Sequence, residues 1–327
     1  MLNIFGGGML EIVVLDGHAL NPGDLDWSGM QAMGHCTFYD RTPPDLVVER
    51  AENAQVLIIN KVIMNRETLR RLPRLRYIGL TATGYNVIDV KAAAELGITV
   101  TNIPAYSTQS VAQMTFALLL ELTNRVGEHS LTVRQGDWSK SADFCYWKYP
   151  LHELSGRKLG IVGYGAIGRA VANIGRAFGM SIAGCRSNNQ RGVADDGTEL
   201  LPLAELLTQS DIISLHAPLS EKNYHLINAG TLKLMKPDAL LINTARGGLI
   251  DAAALAAALN NDQLGGAGLD VLEDEPPETV CPLFSAKNCF ITPHISWATK
   301  EARQRLMIIL NDNLRKFLDG KVQNKVN

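Results

Sequence analysis

The chain has 327 residues, 46% of them apolar and 20% charged, with a net charge of -2. That length allows two domains of ordinary size, and the composition is that of a soluble globular protein. The near-neutral balance gives no electrostatic reason to expect nucleic acid or an anionic membrane as partner, and no apolar run approaches the roughly 20 residues that span a bilayer.

Five cysteines, at positions 36, 145, 185, 281 and 289, include no C-x-x-C pair. Such usage predicts reduced thiols in a cytoplasmic protein and no metal site. Residues 1–8 lack a basic stretch and a small-residue cleavage pattern. They read as a frayed leader, with Met9 an alternative start.

Residues 10–15, 56–59, 77–80 and 98–100 are short apolar runs of the length of buried parallel strands. Between them, 44–54, 67–72 and 89–96 carry helical patterns. Strand–helix alternation of this kind predicts a parallel sheet with crossover helices. After Asn102-Ile103-Pro104 a long apolar helix is expected over 108–125. Ser107 and Ser110 are its candidate caps, and Ser110 with Gln113 has capping-box spacing. Residues 127–150 read as a loop dense in aromatics, among them Trp138, Phe144, Tyr146, Trp147 and Tyr149. Aromatics need burial, on their own domain or against a second subunit, and the second subunit is the favoured reading.

A second series opens at Lys158. Strands are expected at 158–162, 181–185, 211–215, 239–243, 266–269 and 289–291. Helices fill 167–178, 203–207 and 251–259, the last capped by Asp251. The final helix, 301–318, puts Leu306, Leu310, Leu314 and Phe317 on one stripe and stops near Gly320. The fold class is therefore α/β, with two parallel-sheet domains.

Three constellations carry chemistry. Gly163-Tyr164-Gly165-Ala166-Ile167-Gly168 follows an expected strand and opens an expected helix, the context a dinucleotide-binding loop requires. The amides and dipole at that helix start would hold phosphates. About 20 residues on, where a carboxylate would select NAD, the sequence has Cys185-Arg186-Ser187, with Arg191 close behind. A guanidinium and a hydroxyl suit a 2′-phosphate, so the cofactor is read as NAD(P)H, leaning to NADPH. The alternative is that Arg186 stacks on adenine while NAD binds.

Third come Arg246, Glu275 and His294. Reducing a 2-keto acid needs a cation for the carboxylate, a proton donor for the carbonyl oxygen and a hydride for C2. Arg246 suits the first through its fork of donors. His294 suits the second, since an imidazole titrates at about 6.5 in isolation. Glu275 can orient that ring and stabilise its protonated form. Alone, each would pass for a surface charge or a structural histidine, and Glu273, Asp274 and Glu278 make the middle stretch look like a solvated acidic loop. Together, each lies at a strand end or in the loop that follows, the edge where ligands gather in open α/β sheets.

These motifs, with Asn243-Thr244-Ala245-Arg246-Gly247, Gly268-Leu269-Asp270-Val271 and Pro293-His294, resemble the D-isomer-specific 2-hydroxyacid dehydrogenase family over about residues 9–318. Thr81-Ala82-Thr83-Gly84-Tyr85-Asn86 and Ile295-Ser296-Trp297-Ala298-Thr299 are most similar to its glycerate dehydrogenases, or hydroxypyruvate and glyoxylate reductases. The resemblance implies a Rossmann-type nucleotide domain (104–296) inserted into a discontinuous, flavodoxin-like substrate domain (1–103 and 297–327), both doubly wound. It implies that amides near Thr83 and Gly84 help hold the substrate carboxylate. Thr115, Ala166, Ile167, Thr244, Ala245 and Asp270 would line the cofactor, with His216 and Ser296 nearby. A homodimer is implied, with residues 138–149 crossing to the partner and Trp147 or Trp138 reaching its site. The rival reading is a cofactor-sensing binding protein, since corepressors that look like this family keep a comparable triad.

Overall fold

The computed structural model describes residues 9–277 and 280–327. The expected leader and Glu278 of the acidic stretch lie outside the described residues. The chain divides into two compact units, one running up to Ser107 and resuming over Ala298–Asn327, the other Thr108–Trp297. The crossings fall at 107/108 and 297/298, where the sequence suggests 103/104 and 296/297.

In the first unit, β1 (Glu11–Val14), β2 (His35–Phe38), β3 (Val56–Ile59), β4 (Tyr77–Leu80) and β5 (Thr99–Thr101) form a parallel sheet in the order β2-β1-β3-β4-β5. That is the flavodoxin-like order. All residues of β3 and β4 are buried, which is why both read as unbroken apolar runs. β2 is an edge strand with no buried residue, and its His-Cys-Thr-Phe sequence carries no strand signal. Helices α1 (Ser28–Gln31), α2 (Val47–Ala51), α3 (Arg66–Arg70) and α4 (Val90–Glu95) connect the strands. The expected helix over 44–54 is a 3-10 turn, Pro44–Leu46, leading into α2. Asn65 and Asp89 cap α3 and α4 by accepting from the amides of Thr68 and Ala92.

The C-terminal helix, Lys300–Leu318, is capped by Thr299 and buries the expected stripe of Leu306, Leu310, Leu314 and Phe317. Leu310 packs where β4 has Gly79: a Cβ there would stand 3.0 Å from Leu310 Cδ1 and 2.8 Å from Ile58 Cδ1. Two arginines of this helix hold the ends of the unit's chain. Arg303 donates to the Ala298 carbonyl (3.0 Å) and grips Asp24 with two bonds (2.6 and 2.7 Å), while Arg305 donates to the Tyr106 carbonyl (2.9 Å).

The second unit opens with α5 (Thr108–Asn124). Ser110 is inside this helix and donates to the Ser296 carbonyl, so the expected capping box does not form. Arg125, at φ 52°, turns the chain into α6 (Val126–Arg134), and Trp138–Lys140 is a 3-10 turn. Residues 127–150 are thus partly helical, against the loop expected there. Trp138, Phe144 and Trp147 are exposed.

The sheet that follows contains β6 (Lys158–Val162), β7 (Ser181–Cys185), β8 (Gly192–Val193), β9 (Glu199–Leu200), β10 (Ile212–Leu215), β11 (Leu240–Asn243), β12 (Gly266–Leu269) and β13 (Cys289–Ile291). Its order is β13-β12-β11-β10-β6-β7-β9-β8, parallel except for the β8–β9 pair. Counted from β6 as first, β9-β7-β6-β10-β11-β12 is the 3-2-1-4-5-6 order of the Rossmann fold. Helices α7 (Ala166–Ala177), α8 (Leu203–Gln209), α9 (Ala229–Leu232) and α10 (Ala252–Asn260) link the strands, and Asp251 caps α10 through the Ala254 amide. No helix among the described residues is long and apolar enough to cross a membrane.

Leu310→Ala should destabilise the first unit by about 2–5 kcal/mol, through lost burial and the cavity left against β4. Ile308→Ala, at an exposed position of the same helix, should stay within about 0.5 kcal/mol. Paired thermal or denaturant melts check this; equal losses for both would show that the apolar stripe does not hold the helix.

Candidate active site

β6 lies between β7 and β10, so its C-terminal end is the point at which the strand order reverses. The loop there divides its tasks among three glycines. Gly163 is left-handed (φ 91°), and a Cβ on it would stand 2.5 Å from the Ala217 amide nitrogen. A Cβ on Gly168 would stand 2.6 Å from the Gly163 carbonyl oxygen. At Gly165 a Cβ would meet nothing within 4 Å. The first and third glycines therefore let backbone pack on backbone, and the middle one faces open space at the start of α7, beside Ala166 and Ile167. That division fits a bound pyrophosphate.

His216 follows β10 across the same point. Its Nε2 lies 2.8 Å from Ser214 Oγ, and its Nδ1 is covered with no protein partner. Burial pulls its imidazole down to about 3, so the ring is neutral near pH 7. An orphaned ring nitrogen beside the glycine loop is a second feature that suits a dinucleotide.

Cys185 ends β7, its thiol pushed up by burial. The turn after it is fixed by Asn189, at φ 52°: its amide donates to the Arg186 carbonyl (2.9 Å), and its Oδ1 accepts from the Leu203 amide (2.6 Å). Arg191 pairs with Glu199 (3.3 Å) and Glu205, so it is committed elsewhere. Arg186, by contrast, has no carboxylate within salt-bridge distance among the described residues. Ser187 beside it is exposed.

Arg246, Glu275 and His294 follow β11, β12 and β13, three neighbouring strands, at one edge of the sheet. Asn243 shapes the first loop: its Oδ1 accepts from the Ala245 amide (3.0 Å) and its Nδ2 donates to the Arg246 carbonyl (2.9 Å). Gly247 then presses on the next loop, where a Cβ would fall 1.9 Å from the Leu272 carbonyl carbon. Only glycine permits that approach. Arg246 itself is exposed and donates to the Ala245 carbonyl (2.7 Å), with no ion-pair partner among the described residues.

Glu275 Oε1 accepts from the Leu272 amide (3.1 Å), and its Oε2 lies 2.5 Å from His294 Nδ1. An ionised carboxylate only accepts, so this contact is made by the tautomer with its proton on Nδ1, which leaves Nε2 for other chemistry. His294 is left-handed (φ 54°) and is held by a hub at Asp270. Asp270 is fully buried; it accepts from Thr292 Oγ1 (2.5 Å) and from the amides of Ile295 (2.9 Å) and Ser296 (2.8 Å), while its carbonyl takes the His294 amide (2.8 Å).

The other expected residues fall as follows. Thr115, buried in α5, reaches Thr244 after β11, hydroxyl to hydroxyl at 3.2 Å. Ala245 sits in the Asn243 turn. Thr83 and Gly84 belong to the first unit, after β4, where the Thr83 hydroxyl donates to the Ile103 carbonyl (2.7 Å). Trp147 is exposed in the segment after α6. Asp211, just before β10, is a structural acceptor for the Lys158 amide (2.7 Å) and Lys236 Nζ (2.6 Å).

With this geometry, the comparisons with known proteins agree on one family. Residues 116–296 match the model of the D-isomer specific 2-hydroxyacid dehydrogenase NAD binding domain. A hydroxypyruvate reductase from Blautia hydrogenotrophica is 46% identical over 321 residues, 97% of this chain and 100% of that protein. A glycerate dehydrogenase from Methylorubrum extorquens is 44% identical over 285 residues, 86% of this chain and 88% of its own. Among solved structures, an NADPH-dependent glyoxylate/hydroxypyruvate reductase from Sinorhizobium meliloti, in complex with NADP and malonate, superposes with a TM-score of 0.82 at 28% identity, covering 98% of this chain and 97% of that one. The chain belongs to the D-isomer-specific 2-hydroxyacid dehydrogenase family.

For this 2-hydroxyacid dehydrogenase, sequence reading missed the residues that place the reactive groups. Asn243 had a usable signal, an Asn ending an apolar strand just before a turn. The loop-ordering role of Asp270 had none, because its donors come from the segment at 292–296. The glycine loop yields a test. Gly165→Ala should fold with wild-type stability and bind NAD(P)H more weakly, whereas Gly168→Ala should lose about 1–3 kcal/mol of stability through overpacking. Melting curves with cofactor titration separate the two, and equal effects at both sites would contradict the division of roles.

Proposed function

We propose that this enzyme reduces small 2-keto acids, hydroxypyruvate and glyoxylate first, to D-glycerate and glycolate with NAD(P)H. The observation that carries the reading is the 2.5 Å pair of Glu275 and His294 at the sheet edge that also bears Arg246. The names of the relatives, hydroxypyruvate reductase and glycerate dehydrogenase, support the same substrates and favour turnover over cofactor sensing. A bound nicotinamide dinucleotide supplies the hydride for C2. Arg246 holds the substrate carboxylate through its paired donors. Glu275 keeps the His294 ring in one orientation with its proton on Nδ1, and the protonated ring gives its second proton, on Nε2, to the carbonyl oxygen. Thr83 and Gly84 remain carboxylate donors, and Asp270 a partner of the nicotinamide amide, on the strength of the family resemblance.

For the cofactor we assign Arg186 and Ser187 to a 2′-phosphate, which favours NADPH. The unpaired guanidinium on a turn pinned by Asn189 supports this, as does the NADP in the Sinorhizobium meliloti enzyme. Residues 138–149 are assigned to a second copy in a homodimer, because Phe144 and Trp147 leave 89% and 65% of their surface uncovered.

His294→Ala should lower kcat by about 10²–10⁴ with NAD(P)H binding intact. Glu275→Gln removes the charge that favours the protonated ring, so the pH at which reduction falls to half should move lower. A pH–rate profile that Glu275→Gln leaves in place would remove that role. Arg186→Ala should raise KM for NADPH roughly ten- to hundredfold, the worth of a charged hydrogen bond, and hardly change KM for NADH. Equal changes for both would return the cofactor to NAD.

A further inference from the structure

Two residues upstream of Glu275, Glu273 is gripped from a third loop. The Tyr224 hydroxyl donates to its Oε1, and His225 Nε2 lies 3.2 Å from its Oε2. The two rings stack, their centroids 3.9 Å apart and their planes 18° from parallel. His225 is left-handed (φ 49°), and its backbone is tied on both sides: its amide donates to the Gly248 carbonyl (2.8 Å), and its carbonyl accepts from Asn228 Nδ2 (2.9 Å). Tyr224 also packs on Gly248, where a Cβ would stand 3.5 Å from its ring. The turn after Arg246 is therefore touched from both sides, by Tyr224 and His225 at Gly248 and by Leu272 at Gly247.

We infer that Tyr224 and His225 are positioning residues, which act through Glu273 to fix the loop carrying Glu275 against the loop carrying Arg246. The inference rests on the role given above to the Glu275–His294 pair. The geometry favours it over a chance surface contact. Glu273 and Glu275 share a five-residue stretch, 271–275, whose backbone has no slack at Gly247, so a shift at one carboxylate is passed to the other. Tyr224 first, and His225 after it, hold the Glu273 carboxyl below the usual carboxylate range, against the opposing effects of burial and of Asp251. Glu273 thus accepts from both rings as an anion across neutral pH. Asp251 and Asp274 also act on the cluster, and both are carboxylates that cannot replace either donor.

The test is steady-state kinetics with hydroxypyruvate across pH for Tyr224→Phe, Glu273→Gln, Glu275→Gln and the Tyr224→Phe/Glu275→Gln pair, with NAD(P)H binding read by fluorescence. Tyr224→Phe and Glu273→Gln should each lower kcat roughly tenfold, as expected for a slightly misplaced catalytic group, with cofactor binding unchanged. Each should move the half-activity pH in the direction Glu275→Gln does, and the double variant should add little to Glu275→Gln alone. A wild-type profile for Tyr224→Phe beside a shifted one for Glu275→Gln, even with a lower Tm, would reduce the cluster to packing and overturn the inference alone. An unshifted profile for Glu275→Gln would overturn the inference and the reading beneath it together.

Discussion

Burying a carboxylate is tolerable only when donors replace its water, and Asp270 meets that condition by drawing the chain around itself. Thr292, Ile295 and Ser296 all turn a proton toward it. Between these donors the backbone at His294 enters the left-handed region (φ 54°), which few residues other than glycine adopt. The electrostatic requirement of a residue at the end of β12 thereby decides where the imidazole after β13 stands. Placing Glu275 Oε2 at 2.5 Å from that ring is then a matter of two loops whose starts are adjacent in the sheet.

The parallel sheet makes this arrangement economical in residues. Every strand of the series from β6 to β13, β8 apart, runs in one direction, so every following loop emerges at one edge. The phosphate loop after β6, the turn after β7 and His216 after β10 occupy the part around the reversal of strand order. Arg246, Glu275 and His294 occupy the successive strands beyond it. Cofactor and acid–base groups are thus sorted along a single edge by strand position. Glycines at two close backbone approaches, Gly163 on Ala217 and Gly247 on Leu272, keep neighbouring loops in direct contact.

What the sequence makes legible follows from the same physics. Strands buried on both faces appear as continuous apolar runs, and six of the expected strands (56–59, 77–80, 158–162, 181–185, 266–269 and 289–291) coincide with the structure to the residue. The edge strand β2 has no such run, since water and other polar surroundings ask nothing apolar of it. Helix α6 escapes for a related reason: it buries only Thr132 among its residues, so no apolar stripe marks it within the aromatic-rich stretch. Ser110 shows the converse error. Its spacing to Gln113 imitates a capping box, yet the helix starts two residues earlier, and its hydroxyl is used by the Ser296 carbonyl.

For the site, residue type announces chemistry and tertiary contact announces placement. An arginine, a carboxylate and a histidine at strand ends are visible because the reaction needs those functional groups. Asn189, Asn243 and Glu273 are ordinary polar residues until the loops they tie are known. Arg191 is the instructive case. By spacing it stands close behind Arg186, but Glu199 and Glu205 satisfy its charge, and a guanidinium already paired has little to offer a second anion. Selectivity at such a site depends less on how many cations the sequence supplies than on how many the fold leaves unpaired.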